Sequence, residues 1–113
     1  MSTITATSLS DDELGRELAH ASAAASAARD WLHRAAEEFR RLDLASHAAG
    51  DTVDGHEAGS AEQAIAVVGA AEAGAVFHAA TLIYDEAREL SSEWGKREEA
   101  LGMELARRRG SVY

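Results

Sequence analysis

Leu14, Leu18, Ala21, Ala25, Ala28, Leu32, Ala35, Phe39 and Leu42 follow one another at alternating spacings of four and three. This is a heptad seam held for four repeats, and it predicts one long helix facing a partner helix. The middle of the seam is Ala, which lets a partner come close. The start of the helix is sharply marked. Ser10 and Glu13 have the spacing of a capping box, Leu9 and Leu14 fall at the positions of a hydrophobic staple, and Asp11 and Asp12 put negative charge where the helix dipole favours it. Gly50 is a natural stop, so the first helix is expected over about 10–49.

The Gly- and Asp-rich stretch 50–59 reads as an acidic loop. Ser60 and Gln63 then form a second capping box, and a second helix is expected over about 60–109. Arg107, Arg108 and Arg109 fill its last turn and Gly110 follows. Its strongest apolar line runs Ile65, Val68, Glu72, Val76, Ala79, Ile83, Ala87, Leu90, Trp94, Glu98, Leu101 and Leu105. The spacing is three, four, four, an eleven-residue period that suits a nearly straight or slightly right-handed helix.

A short loop between two long helices implies an antiparallel hairpin, here a single domain over 1–113. Folding about the centre of the loop sets residue 72 opposite residue 37 or so and leaves the last turns of the second helix overhanging the first. Val67, Ala71, Ala75, Phe77, Leu82 and Tyr84 widen the apolar line almost around the second helix. A helix that is apolar all round is buried all round, and one partner helix cannot cover it. The fold class expected is therefore all-α, an antiparallel hairpin self-associating into a four-helix bundle or larger helical assembly. Its interface is expected at Val67, Ala71, Glu72, Ala75, Phe77 and Leu82, with Trp31 and Trp94 as aromatic anchors.

Charge narrows the partners. The formal net charge is -9, and no Lys or Arg lies between Arg41 and Arg88, where eight Asp and Glu residues fall. Such a surface repels phosphate backbones, so nucleic acid is not an expected partner. Residues 64–83 are long enough to span a bilayer, but Glu72 and His78 lie among them, and a central carboxylate is costly in lipid, so no membrane span is expected. The opening "MSTITATSLS" has neither the basic nor the apolar part of a secretory signal, and the expected location is cytoplasmic. The chain has no Pro, which suits uninterrupted helices, and no Cys, which excludes disulfides and thiolate ligands.

Glu72 is the conspicuous polar residue of the apolar stretch. Unpaired and buried it would cost several kcal/mol, on the order expected for a desolvated charge. Four arrangements satisfy it: a pair with an Arg of the first helix, Arg34 above all; a carboxylate that reaches the edge of the seam; a protonated carboxyl shared with its symmetry mate; or metal ligation, as in ferritin-like bundles. Glu17-x-x-His20 and Asp30-x-x-His33 have the matching spacing, both on the first helix and largely outside its seam. The loop residues Asp51, Asp54, His56 and Glu57 miss the spacing of a calcium loop and read as solvated turn chemistry. No phosphate-binding glycine loop and no local nucleophile–base cluster is present. No catalytic residue, cofactor or metal is expected.

In layout the chain resembles the WXG100 and related ESX-associated helical hairpins of actinobacterial type VII secretion. The likeness covers the whole chain: 113 residues, two long helices, an acidic, Ala-rich composition and no Cys. The family's Trp-x-Gly turn is replaced here by "DTVDGHEAGS", and Trp94-Gly95 lies far along the second helix. The fourth residue after Tyr84 is Arg88, where the family's export signal has an acid. No functional residue is carried over. The resemblance implies a non-enzymatic dimer that works through its helix surfaces and is exported without a cleaved signal. Residue patterns and resemblance thus converge on a non-enzymatic interaction protein, a scaffold, adaptor or accessory subunit. A ferritin-like metal-binding bundle and a type VII substrate-like hairpin are the alternatives.

Overall fold

The computed structural model describes residues 6–110, in which a 3₁₀ turn, Ala6–Ser8, precedes two helices, α1 (Asp11–Asp54) and α2 (Ala61–Gly110). The two helices pack against each other, and no strand is present among the described residues: the chain is an all-α hairpin. The first residues of the opening stretch and the last of "ARRRGSVY" lie outside the described residues.

The start of α1 forms as its sequence dictates. The Ser10 amide donates to Glu13 Oε1 at 3.0 Å, and the Glu13 amide donates to Ser10 Oγ at 3.2 Å. These bonds, the Ser10 amide first, hold the Glu13 carboxyl below its ordinary pKa. Leu9 and Leu14 are buried in one cluster, so the staple closes over the cap.

The far end of α1 differs from expectation. The helix runs through Gly50 to Asp54, and it stops where the Gly55 amide bonds the Asp51 carbonyl at 3.1 Å and the His56 amide bonds the Val53 carbonyl at 3.3 Å. A glycine inside a helix costs about 1 kcal/mol, which the further backbone bonds of the extra turn offset. The true glycine position is Gly59, with φ of 79°. Its amide donates to Gln63 Oε1 at 2.7 Å, and the Gln63 amide donates to Ser60 Oγ at 3.1 Å. The second capping box therefore forms with its return bond moved one residue back. Opposite outcomes are expected at the two glycines. Gly50→Ala, with open space around the added methyl, should stabilise by about 0.5–1 kcal/mol, while Gly59→Ala should destabilise by about 1–2 kcal/mol. Urea unfolding of the two variants checks both signs.

The described chain divides into two compact units, a terminal unit up to Trp31 together with residues from Arg88 onward, and a turn unit, Leu32–Ala87. In the terminal unit Leu9, Leu14, Ala21 and Leu101 form the core, and Ala6, Leu18, Trp94 and Leu105 pack against it. Arg108 of α2 reaches Asp11, so the last turns of α2 lie beside the start of α1 and do not overhang it. Arg29 with Glu98 at 3.7 Å and Arg97 with Glu17 at 3.8 Å add partly exposed pairs of small energetic weight.

In the turn unit the seam of α1 is the expected one, with Ala35 buried and the Phe39 ring 5.2 Å from the rings of both Phe77 and Tyr84. The inward face of α2 is not the expected one. Ala66, Ala70, Ala73, Phe77, Ala80, Tyr84 and Ala87 turn inward at spacings of four and three, while Ile65, Val68, Glu72, Val76, Ala79 and Ile83 are exposed. The reason is one of period. A partner of a heptad seam must follow that seam's 3.5-residue repeat, and an eleven-residue line departs from it by nearly 5° per residue, or roughly 100° from Ala87 back to Ile65. The two lines share Ala87, Trp94, Glu98, Leu101 and Leu105, so the expected core holds in the terminal unit and fails in the turn unit.

Candidate functional site

α2 owes its outer face to a division of labour along its own sequence. Alanines take most of the inward positions, with Phe77 and Tyr84 among them, and the branched residues stand outside. Ile65, Val67, Val68, Val76, Leu82 and Ile83 are between 48% and 74% exposed, and Leu44 of α1 is exposed as well. Isolated apolar residues on a surface are ordinary, but an apolar face of this extent marks a surface that something else covers.

Two grooves flank α2 in the turn unit. One, of about 240 Å³, is lined by Ala35, Glu38, Leu42, Val76, Ala79, Ala80 and Ile83. The other, of about 570 Å³, has two unlike walls. Asp43, Ser46, His47, Gly50, Asp51, Val53 and Asp54 of α1 form one, and Val67, Ala70 and Phe77 of α2 form the other. His47 Nδ1 lies 2.9 Å from the Asp43 carbonyl oxygen and 3.2 Å from its carboxylate. That carbonyl first, then the charges of Asp43 and Asp51, pushes the imidazole above its ordinary pKa.

The expected interface residues separate into three groups. Val67, Ala71, Glu72, Ala75 and Leu82 are all exposed on the outer side of α2. Phe77 is half-buried with its ring tilted against that of Phe39, so it joins the chain's own helices. Trp94 is half-buried against the terminal core, with its ring edge-to-face with His20 at 5.5 Å, and Trp31 is half-buried on α1. Phe77 thus faces inward within the turn unit, and both tryptophans belong to the terminal unit.

Glu72 is exposed, which removes the premise of a buried carboxylate within one chain. Among the described residues no salt bridge joins it to Arg34. The Glu-x-x-His spacing is absorbed otherwise, with Glu17 facing Arg97 and His20 facing Trp94. Among the described residues no three His, Asp or Glu side chains are placed to hold a metal ion.

The terminal arginines are a structural clasp. Arg107 makes two hydrogen bonds of 2.7 Å to the Glu104 carboxylate, and Arg108 Nε adds a third at 2.8 Å. Arg108 then crosses to Asp11 Oδ1 and to the Leu9 carbonyl, both at 2.7 Å. The Arg–Glu spacing was visible in sequence, whereas the reach to Asp11 and Leu9 depends on the hairpin register. No protein-family model, curated protein or solved structure matches the chain, so the likeness to type VII hairpins stays at the level of a small two-helix all-α chain.

Proposed function

We propose that the chain is a non-enzymatic helical interaction protein, a scaffold, adaptor or accessory subunit, whose α2 outer face is covered by another helical surface. That surface belongs to a second copy or to a partner in a larger assembly. One observation carries the reading: the branched apolar residues of α2 in the turn unit, among them Ile65, Val68, Val76 and Ile83, are left outside, while alanines together with Phe77 and Tyr84 take the inward positions. A chain that only had to fold would gain by burying the branched side chains, at about 25 cal/mol per Å² of apolar area. Leaving them exposed makes sense when their burial is reserved for association. α2 is also long and apolar enough to cross a bilayer, but Glu72 sits in the middle of that stretch, which disfavours lipid as the cover.

Photo-cross-linking in the cells that make the protein tests this. A benzophenone side chain at position 68 or 76 is expected to give discrete adducts of defined mass, and the same probe at exposed Glu93 to give none. Equal, diffuse labelling from all three positions would overturn the reading.

A further inference from the structure

The larger groove of the turn unit combines two properties that identify what fills it. Its α2 wall is apolar, through Val67, Ala70 and Phe77, and its α1 wall carries Asp43, Asp51 and Asp54. Residues 42–87 contain eight acids and no Lys or Arg, and the one titratable base on the groove's α1 wall is His47, which sits against Asp43. A second copy docking through the same patch would bring two acidic walls into one interface with no Lys or Arg to pair them, because a two-fold interface uses the same patch twice. Asp51 and Asp54 also stand in the last turns of α1, at the negative end of its dipole, where no basic residue accompanies them. There they weaken the free chain, and a cation brought alongside reverses the sign of that effect. The α1 wall from Asp43 to Asp54 runs about 16 Å at 1.5 Å per residue, the length of three helical turns.

We infer that this groove receives an amphipathic helix of another protein, its apolar stripe on Val67, Ala70 and Phe77 and a row of Lys or Arg along Asp43, Asp51 and Asp54. The inference rests on the reading of α2 as an interaction surface and specifies the partner. Apolar contact supplies the burial, and the paired charges select the partner and set its direction along the groove.

Two helical peptides with the same Leu and Ala stripe, one flanked by Lys and Arg and the other by Glu, are titrated into the full chain by fluorescence anisotropy. The basic peptide is expected to bind at least about tenfold tighter, with the advantage shrinking between about 0.05 M and about 0.3 M salt. The Asp51→Asn/Asp54→Asn double variant is expected to lose about tenfold in affinity for the basic peptide while its Tm without peptide rises. A merely structural role for these carboxylates would not move the two readouts in opposite directions. Equal binding of both peptides, or unchanged affinity in the double variant, overturns the inference. So does a cross-link from position 67 that joins two copies of this chain, but that result leaves the interaction reading standing. Transfer of α2 into neutral phosphatidylcholine vesicles, with neither peptide bound, overturns both.

Discussion

Truncating Leu101 to Ala is expected to destabilise the chain by about 3 kcal/mol and to lower Tm by roughly 10–20 °C. Among the described residues Leu101 and Leu14 are the two large side chains that are fully buried, and the remaining buried apolar residues are Leu9 and six alanines. A cavity left beside Leu14 therefore has little around it that can move in, and the cost should sit well inside the range for buried Leu. The comparison variant is Ile65→Ala. Ile65 is 74% exposed, and its truncation should cost less than about 0.5 kcal/mol in the isolated chain. Urea unfolding followed by circular dichroism measures both. A loss under about 1 kcal/mol for Leu101→Ala would contradict the assigned core. A large loss for Ile65→Ala that fades on dilution would place that side chain in an interface between copies, and would count against a basic heterologous partner.

How far the sequence led depended on whether residue strength and residue period agreed. On α1 they agree: the line from Leu14 to Leu42 is both the most apolar and the heptad line, and it is the buried one. The caps at Ser10 and Ser60 were legible because they are local, fixed by side chains three residues apart. On the first half of α2 the two criteria part. Ile65, Val68, Val76 and Ile83 are stronger hydrophobes than Ala66, Ala70, Ala73 and Ala80, yet only the alanines keep step with α1. An Ala–Ala contact lets two helices approach closely, and in such a pair the inward face is marked by size and spacing more than by hydropathy. Read by strength, the line through Glu72 became a core with a buried carboxylate; read by period, it is the outer face, and Glu72 is a solvated residue within it.

The groove was not legible in the chain, because it depends on where α1 ends. The run without Lys or Arg is plain in the sequence, as is the apolarity of α2. That Asp43, Asp51 and Asp54 share a groove with Val67, Ala70 and Phe77 depends on α1 running past Gly50 to Asp54, which alters the hairpin register. With the helix ending at Gly50, Asp51 and Asp54 would belong to a loop and oppose no apolar wall. Four residues of helix thus convert a loose acidic loop into one side of a binding groove.

Replacing Arg108 by Ala is expected to lower Tm by roughly 5–10 °C, and Arg108→Lys should recover little of it. The guanidinium joins Glu104 and Arg108's own turn of α2 to three groups at the start of the chain: Asp11 Oδ1, the Leu9 carbonyl and, at 3.4 Å, the Ala6 carbonyl. Leu9 and Ala6 also pack in the terminal core, so the arginine holds down the segment that closes over Leu14 and Leu101. A lysine offers one compact ammonium where a flat fork of donors is used, and it cannot serve two carbonyls and two carboxylates together. The clasp also has an acid signature. Hydrogen bonds from Arg107 first, and then from Arg108, lower the Glu104 pKa from 4.5 to about 2. Between those values the unfolded chain binds the proton and the folded chain does not, so the contribution of Glu104 is complete above about pH 4.5 and is lost as pH falls toward 2. Other carboxylates titrate in the same window, so the informative quantity is the difference between wild type and Glu104→Gln. That difference in Tm should be constant from neutral pH to about pH 5 and then shrink steadily down to pH 2. A difference that stays flat through acid would mean that Glu104 is not held by the two arginines in solution, and an unchanged Tm in Arg108→Ala would mean that the N-terminal segment is anchored by apolar contact alone.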